Sequence, residues 1–194
     1  MFSALVLSTV VIFVAELGDK SQLMAMTFAT RYRARDVILG ITAATALVHL
    51  ASVGIGYFIG ASFEKYQGPI AILAGIAFLG FAAWTLRGDE LTDEEAQKAR
   101  KAKGSALLAV GLAFFLAELG DKTMLATITL AVREDWLGTW IGSTVGMVAA
   151  DALAIGVGAL LGRKLPEKVI QYGAAAAFAI FGLVLVAEGA GWLG

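Results

Sequence analysis

The chain has 194 residues, of which 59% are hydrophobic, 23 are glycine and 16% are charged, and its mean hydropathy of +0.80 excludes an ordinary water-soluble domain. Its 15 basic and 16 acidic residues give a net charge of −1, which offers no general attraction to nucleic acid. Because cysteine is absent, disulfides, thiolate metal sites and cysteine nucleophiles are excluded as well.

Six long apolar stretches follow one another along the chain, separated by charged connections. They cover residues 2–30, 37–63, 69–86, 105–132, 136–162 and 169–192. A hydrocarbon core about 30 Å thick needs about 20 helical residues, so each stretch can span a bilayer. The stretches lack the period-2 alternation of a transmembrane barrel. The prediction is an all-α integral membrane protein with six transmembrane helices, and we expect the first helix to be retained rather than cleaved as a signal peptide.

The basic residues of the connections predict the orientation. If the helices alternate in direction, 11 of the 15 lysines and arginines lie on one side of the membrane. They occupy the first, third and fifth connections, as Arg31, Arg33, Arg35, Arg87, Lys98, Arg100, Lys101, Lys103, Arg163, Lys164 and Lys168. By the positive-inside rule this side is cytoplasmic, which leaves both termini outside. The expected location is the bacterial inner (plasma) membrane.

An internal repeat divides the chain into two halves. The hexapeptide AELGDK occurs at 15–20 and again at 117–122, an offset of 102 residues that also superimposes the glycines of the two halves. Since each half holds three helices, an odd number, the second half must enter the membrane from the opposite side. The prediction is two inverted three-helix repeats, 1–88 and 105–194, joined by a charged cytoplasmic linker over 89–104. Such repeats are typical of secondary transporters, whose substrate site lies near the midplane.

Each copy of the motif places ionisable groups near the middle of a predicted membrane helix. The first copy supplies Glu16, Asp19 and Lys20, and the second supplies Glu118, Asp121 and Lys122. An unpaired group there costs about 2.5–3.5 kcal/mol, so these residues must face each other, water or a ligand. On continuous helices, the motif residues share one stripe with Thr27 and Thr129. Bringing the stripes together gathers four carboxylates and two ammonium groups, with a residual charge of −2.

This excess of carboxylates predicts a site for a hard divalent cation such as Mn²⁺, Ca²⁺ or Mg²⁺. The predicted ligands are Glu16, Asp19, Glu118 and Asp121, with Lys20 and Lys122 compensating charge and with further oxygens from Ser21, Thr123, Gln22, Thr27 or Thr129. A thioether from Met24, Met26 or Met124 would favour Mn²⁺ over Ca²⁺, although packing is the commoner role of methionine. Because protons compete for the same carboxylates, the site also provides a mechanism for antiport.

Two further polar residues obey the same offset, since His49 in the second predicted helix corresponds to Asp151 in the fifth. An intramembrane histidine that titrates near neutral pH is a candidate proton relay. The alternative is a histidine that is satisfied by a backbone carbonyl or a hydroxyl. For Asp151 the prediction is either a group that supports the cation ligands or a proton carrier.

At these residues the chain resembles the Gdt-type, transmembrane-protein-165-type cation transporters. Their signature, Glu-x-Gly-Asp-(Lys/Arg)-(Ser/Thr), is found at 16–21 and at 118–123. The resemblance implies a cation/proton antiporter that moves Mn²⁺, and in some members Ca²⁺, out of the cytosol with the motif acids as ligands. We therefore expect no enzymatic activity, no bound cofactor, no nucleic acid and no obligate protein partner. The expected ligands are the transported cation and protons, within the lipid bilayer.

Three alternatives stay open at this point. A passive divalent-cation channel would use the same carboxylates without coupling to protons. An intramembrane aspartyl protease would need two aspartates that share a proton, which the adjacent lysines would disturb. In a purely structural role, Glu–Lys or Asp–Lys pairs would hold two helices together, but two bases do not need four acids for that purpose.

Overall fold

The computed structural model describes residues 1–87, 97, 105–161 and 167–192. Within these ranges all regular structure is helical, which confirms the all-α class. The helices are α1 (Phe2–Glu16), α2 (Lys20–Ala29), α3 (Ala34–Ser62), α4 (Gln67–Arg87), α5 (Ala106–Glu118), α6 (Lys122–Ala131), α7 (Trp136–Leu161) and α8 (Glu167–Gly189), with a short 3₁₀ turn at Glu64–Tyr66. Apart from Gln97, the predicted linker over 89–104 lies outside the described residues.

Several of these helices can cross a membrane. Four are long and apolar enough by themselves, namely Ala34–Ser62, Gln67–Arg87, Trp136–Ala159 and Gln171–Gly189. The pair α1 and α2 makes a fifth candidate span, bent by 78°. Helix α5 is apolar, but its 13 residues are too few to cross alone. The chain is therefore a multi-pass membrane protein, while the count of six crossings and the inverted orientation stay predictions.

The first and fourth predicted helices are each broken within the motif. The breaks comprise Leu17–Asp19, between α1 and α2, and Leu119–Asp121, between α5 and α6. Gly18 and Gly120 have φ angles of 77° and 81°, in the left-handed region that favours glycine. The prediction of one continuous polar stripe along each helix is thus wrong, because the glycine turns the backbone between the glutamate and the aspartate of the motif.

The helix ends repeat with the offset that relates the two motifs. Adding 102 to the bounds of α2 gives those of α6, and the same addition relates the last residues of α1 and α5 and of α4 and α8. Packing follows the same relation, since α1 packs along α7, α3 packs on α5, and α4 packs along its own equivalent, α8. Each half therefore buries its apolar surface largely against the other half.

Glycines allow α7 to approach α1 closely. Gly138, Gly142 and Gly146 follow one another at every fourth position of α7, and a Cβ atom at Gly142 would lie 2.3 Å from the carbonyl oxygen of Leu5. Such spacing of small residues is the usual means of close helix packing in membranes. The contact brings the backbones of α1 and α7 together without a side chain between them.

Gly142→Ala is expected to destabilise the protein by about 1–3 kcal/mol, because the added methyl group must push α1 and α7 apart. Gly156→Ala on the same helix is the matched control, since a Cβ there would meet nothing within 4 Å. Thermal unfolding in detergent should show a lower Tm for the first variant only. Equal melting temperatures for the two variants would contradict the close contact.

Candidate cation site

The two helix breaks meet inside the protein and bring the four motif acids together. Glu16, Asp19, Glu118 and Asp121 are all buried, with 5% exposure at most. Their charges interact across the two halves, since Glu118 acts on Glu16 and Asp19 acts on Glu118. The structure thus places in one cluster the acids that the repeat predicts to face each other.

Two ion pairs cross between the halves in a reciprocal way. Lys122 Nζ lies 3.1 Å from Asp19 Oδ2, and Lys20 Nζ lies 3.6 Å from Asp121 Oδ1. Each lysine therefore pairs with the aspartate of the other motif copy. The aspartates also stand at the N-caps of α2 and α6, and Asp19 Oδ1 accepts a hydrogen bond of 2.6 Å from the backbone N–H of Lys20. Lys20 and Lys122 thus lie next to the motif aspartates, and their role in compensating charge stays a prediction.

The two glutamates are held by the hydroxyl groups of the motif. Ser21 Oγ donates a hydrogen bond to Glu16 Oε1, and Thr123 Oγ1 donates one of 2.7 Å to Glu118 Oε2. The second oxygen of Glu16 is buried and finds no hydrogen-bond partner among the described residues. Because both lysines pair with aspartates, Glu16 and Glu118 carry the acidic excess of the cluster.

Gln22 and Met124 occupy equivalent positions and close the two breaks. Gln22 Oε1 accepts a hydrogen bond of 2.8 Å from the Gly18 N–H, and its Nε2 donates one of 2.9 Å to the carbonyl of Ala150. Met124 Sδ accepts the equivalent bond from the Gly120 N–H at 3.1 Å. The sequence analysis missed these caps. The feature that could have predicted them is a polar or polarisable side chain four residues after each motif glycine.

Asp151 belongs to the same cluster. It is fully buried on α7, and neither carboxylate oxygen has a hydrogen-bond partner in the described part of the chain. Its charge interacts with those of Asp19, Glu16 and Glu118. Asp151 thus adds a further buried acid from a helix that lies outside both motifs.

His49 is fully buried on α3, at the position equivalent to Asp151. Neither ring nitrogen finds a hydrogen-bond partner within the described ranges. The described residues therefore do not supply the backbone carbonyl or hydroxyl that would satisfy this histidine. The role of proton relay stays a prediction.

Several side chains that could have supplied further ligands are used elsewhere. The hydroxyls of Thr27 and Thr129 each donate 2.8 Å hydrogen bonds to the carbonyl four residues earlier in their own helix. Met24 is buried in the hydrophobic core, and the terminal methyl group of Met26 packs near Gly158. Of the three methionines near the motifs, Met124 is thus the one whose sulfur lies at a helix break.

Within the described ranges, no three histidine, aspartate or glutamate side chains are already arranged to hold a metal ion. The ammonium groups of Lys20 and Lys122 instead stand next to the aspartates, where a cation would be attracted. A divalent cation must therefore engage the glutamates or displace an ammonium group. In these reciprocal pairs Asp19 lies beside one ammonium group and Asp121 beside the other. This arrangement disfavours the proton shared between two aspartates that an aspartyl protease needs.

Apolar helices that break at buried carboxylates, with neutralising lysines exchanged between two related halves, define an ion transporter of the membrane. The comparison with known families agrees with this class. The family model described as "Divalent cation/proton antiporter GDT1" matches residues 4–93 and 106–192. The chain belongs to this family.

Individual relatives extend the comparison. The chain is 32% identical over 187 residues to a Vibrio cholerae protein named "Putative manganese exporter", covering 94% of this chain and 90% of the relative. It is 34% identical to "Protein PAM71-homolog, chloroplastic" of Arabidopsis thaliana, of which it spans only 55%. "GDT1-like protein sll0615" of Synechocystis is 27% identical over 95% of this chain and 97% of its own length. No solved structure matches the chain.

Proposed function

We propose that this protein is a secondary-active antiporter that exports Mn²⁺ from the cytosol in exchange for protons, with Ca²⁺ as the other candidate cation. The observation that carries the proposal is the acidic excess at the helix breaks, where two buried glutamates remain after each motif aspartate has a lysine. The name of the Vibrio cholerae relative supports manganese as the cargo.

Charge balance supplies the coupling in this proposal. Glu16 and Glu118 carry two negative charges that a divalent cation neutralises, while Lys20 and Lys122 can keep the aspartates neutralised. Leaving these buried carboxylates without a cation would cost several kcal/mol each, so protons must take the place of the departing metal. The site therefore exists in a metal-loaded or a protonated form, and a change of access between the two forms exchanges one ion for the other.

The repeated fold supports access to the site from both sides of the membrane. If the halves are inverted as the odd number of helices predicts, the break at Gly18 and the break at Gly120 approach the site from opposite sides of the membrane. Movement of one half against the other then opens the site alternately. The basic connections place the cytoplasm on the side of the predicted linker, and the bacterial inner membrane is the proposed location.

Asp151 and His49 have secondary roles in the proposal. Asp151 lies within the electrostatic reach of the motif acids, which supports a role in holding the cluster or in receiving a proton. His49 is proposed as a relay on the equivalent position of the other half. The cargo itself requires no resident cofactor and no partner protein.

In proteoliposomes with an imposed pH gradient, protons moving inward are expected to drive Mn²⁺ outward. The measurement is the flux of Mn²⁺ with the gradient imposed, reversed and collapsed by a protonophore, with protein-free liposomes as the control. Reversal of the gradient should reverse the direction of manganese movement. A manganese flux that is indifferent to the proton gradient would identify a passive channel instead.

A further inference from the structure

The two helix breaks use chemically different side chains at the same position. An amide oxygen from Gln22 caps the break at Gly18, and a thioether from Met124 caps the break at Gly120. The geometry points to Met124 as the residue that determines which divalent cation the transporter accepts, an inference that rests on the proposed function.

Gln22 is fixed at both ends and is not available as a ligand. Its oxygen accepts from Gly18, its nitrogen donates to Ala150 on α7, and its side chain is buried. Releasing the amide would leave two buried polar groups without partners. Gln22 therefore acts as a strut that ties the first break to α7.

Met124 is held far less firmly. Within the described part of the chain its sulfur accepts one hydrogen bond, from the Gly120 N–H, and thioether sulfur is a weak acceptor. The side chain is half-buried and Gly120 is exposed, so the N–H that it caps is not a buried group. Its sulfur can thus leave the cap without exposing a buried polar group.

The sulfur lies 3.1 Å from the backbone nitrogen of Gly120, in the turn between the two acids of the second motif, Glu118 and Asp121. Gly120, whose N–H it accepts, immediately precedes Asp121, and the Asp121 N–H donates to the carbonyl of Glu118 at 3.2 Å. Glu16 Oε2 and both oxygens of Asp151 are buried without hydrogen-bond partners among the described residues. These oxygens are therefore candidate ligands for a cation. In this inference, a cation drawn to these acids enters the cluster at the turn that the thioether caps.

Thioether chemistry discriminates between the candidate cations. Ca²⁺, Mg²⁺ and Mn²⁺ all prefer oxygen ligands, but Mn²⁺ is a transition-metal ion and loses less than Ca²⁺ or Mg²⁺ when one oxygen is replaced by a softer donor. A site that offers sulfur in place of one oxygen therefore penalises Ca²⁺ and Mg²⁺ more than Mn²⁺. Met124 would set this preference while the carboxylates supply the bulk of the affinity.

The test is a competition assay in proteoliposomes, in which Ca²⁺ inhibits proton-driven Mn²⁺ transport by the wild type, Met124→Gln, Met124→Leu and Gln22→Met. Met124→Gln gives the second break the amide of the first, and its preference for Mn²⁺ over Ca²⁺ is expected to fall severalfold. Met124→Leu keeps the volume without the sulfur and should lose preference in the same direction. Gln22→Met is the reciprocal variant, which removes the link to α7 and should lower the overall rate. It should not lower the preference for Mn²⁺, because both breaks then offer a thioether.

Either Met124 variant decides the inference, so it does not depend on Met124→Gln folding well. An unchanged ratio of Mn²⁺ to Ca²⁺ transport in Met124→Leu would show that Met124 only caps the helix break. Inhibition by Cd²⁺, a softer ion, gives an independent check, because the wild type should be more sensitive than Met124→Leu. If the wild type itself moves no Mn²⁺ in response to the proton gradient, the proposed function fails rather than this inference.

Discussion

Glu118→Gln is expected to abolish proton-driven Mn²⁺ transport, and Glu16→Gln, Asp19→Asn and Asp121→Asn are expected to do the same. Each substitution removes one buried negative charge while keeping the shape of the side chain. The amide of glutamine can still accept the hydrogen bond from Thr123, so the loss would report on charge rather than on packing. The measurement is the initial rate of Mn²⁺ flux in proteoliposomes at a fixed pH gradient.

Glu134→Gln is the control for this experiment, because Glu134 is a half-buried acid just beyond α6 that lies outside the motifs. It should transport like the wild type. Each inactive variant should also elute from size exclusion as the wild type does, which separates loss of the site from loss of the fold. Full transport by Asp121→Asn would rule out a site that needs both motifs.

Lys122→Gln is expected to destabilise the protein by about 3–5 kcal/mol, because it leaves the buried carboxylate of Asp19 without its ion-pair partner. Lys20→Gln is the matched variant, since it removes the equivalent partner of Asp121. The pair of Lys20 is longer, 3.6 Å against 3.1 Å, and the Lys20 side chain is 22% exposed, so the interaction lost there is weaker. Thermal unfolding in detergent should therefore rank Lys122→Gln well below Lys20→Gln.

The double variant Lys122→Gln with Asp19→Asn completes the argument. Removing both charges together should restore most of the stability, because no unpaired buried charge remains. Transport should stay absent, since the cluster has lost a motif acid. Equal melting temperatures for the two lysine variants would contradict the unequal burial of the two pairs, and a fully active double variant would show that this pair is only structural.

Much of the helical framework could be predicted from apolar length and from the repeat. Long apolar stretches have few alternatives to helix, because the bilayer core holds no water to bond the backbone N–H and C=O groups. A helix satisfies these groups internally. The offset between the motifs predicts the equivalence of α2 with α6, whose bounds it reproduces. The gathering of the four motif acids also follows from sequence, since isolated charges at these positions would be too costly.

The helix breaks could not be predicted in the same way. Hydropathy is averaged over a window of residues, so the apolar signal continues across Gly18 and Gly120 without showing a break. A glycine in a membrane helix also more often serves close packing than a turn. The left-handed conformation of each motif glycine depends on a side chain that accepts a hydrogen bond from the glycine N–H, which is Gln22 for Gly18 and Met124 for Gly120. The exchange of partners between lysines and aspartates likewise depends on tertiary contact, because nothing local favours the aspartate of the other half over the adjacent one.

The exchanged ion pairs also bear on how the chain is inserted into the membrane. When the first half leaves the ribosome, Asp19 and Lys20 have not yet met the residues that neutralise them in the finished protein. The first motif must then stay near water or within the insertion machinery until α5 and α6 arrive. Neither half by itself can form these two ion pairs, so biogenesis of the two halves is coupled by the same charges that we propose to handle the cargo.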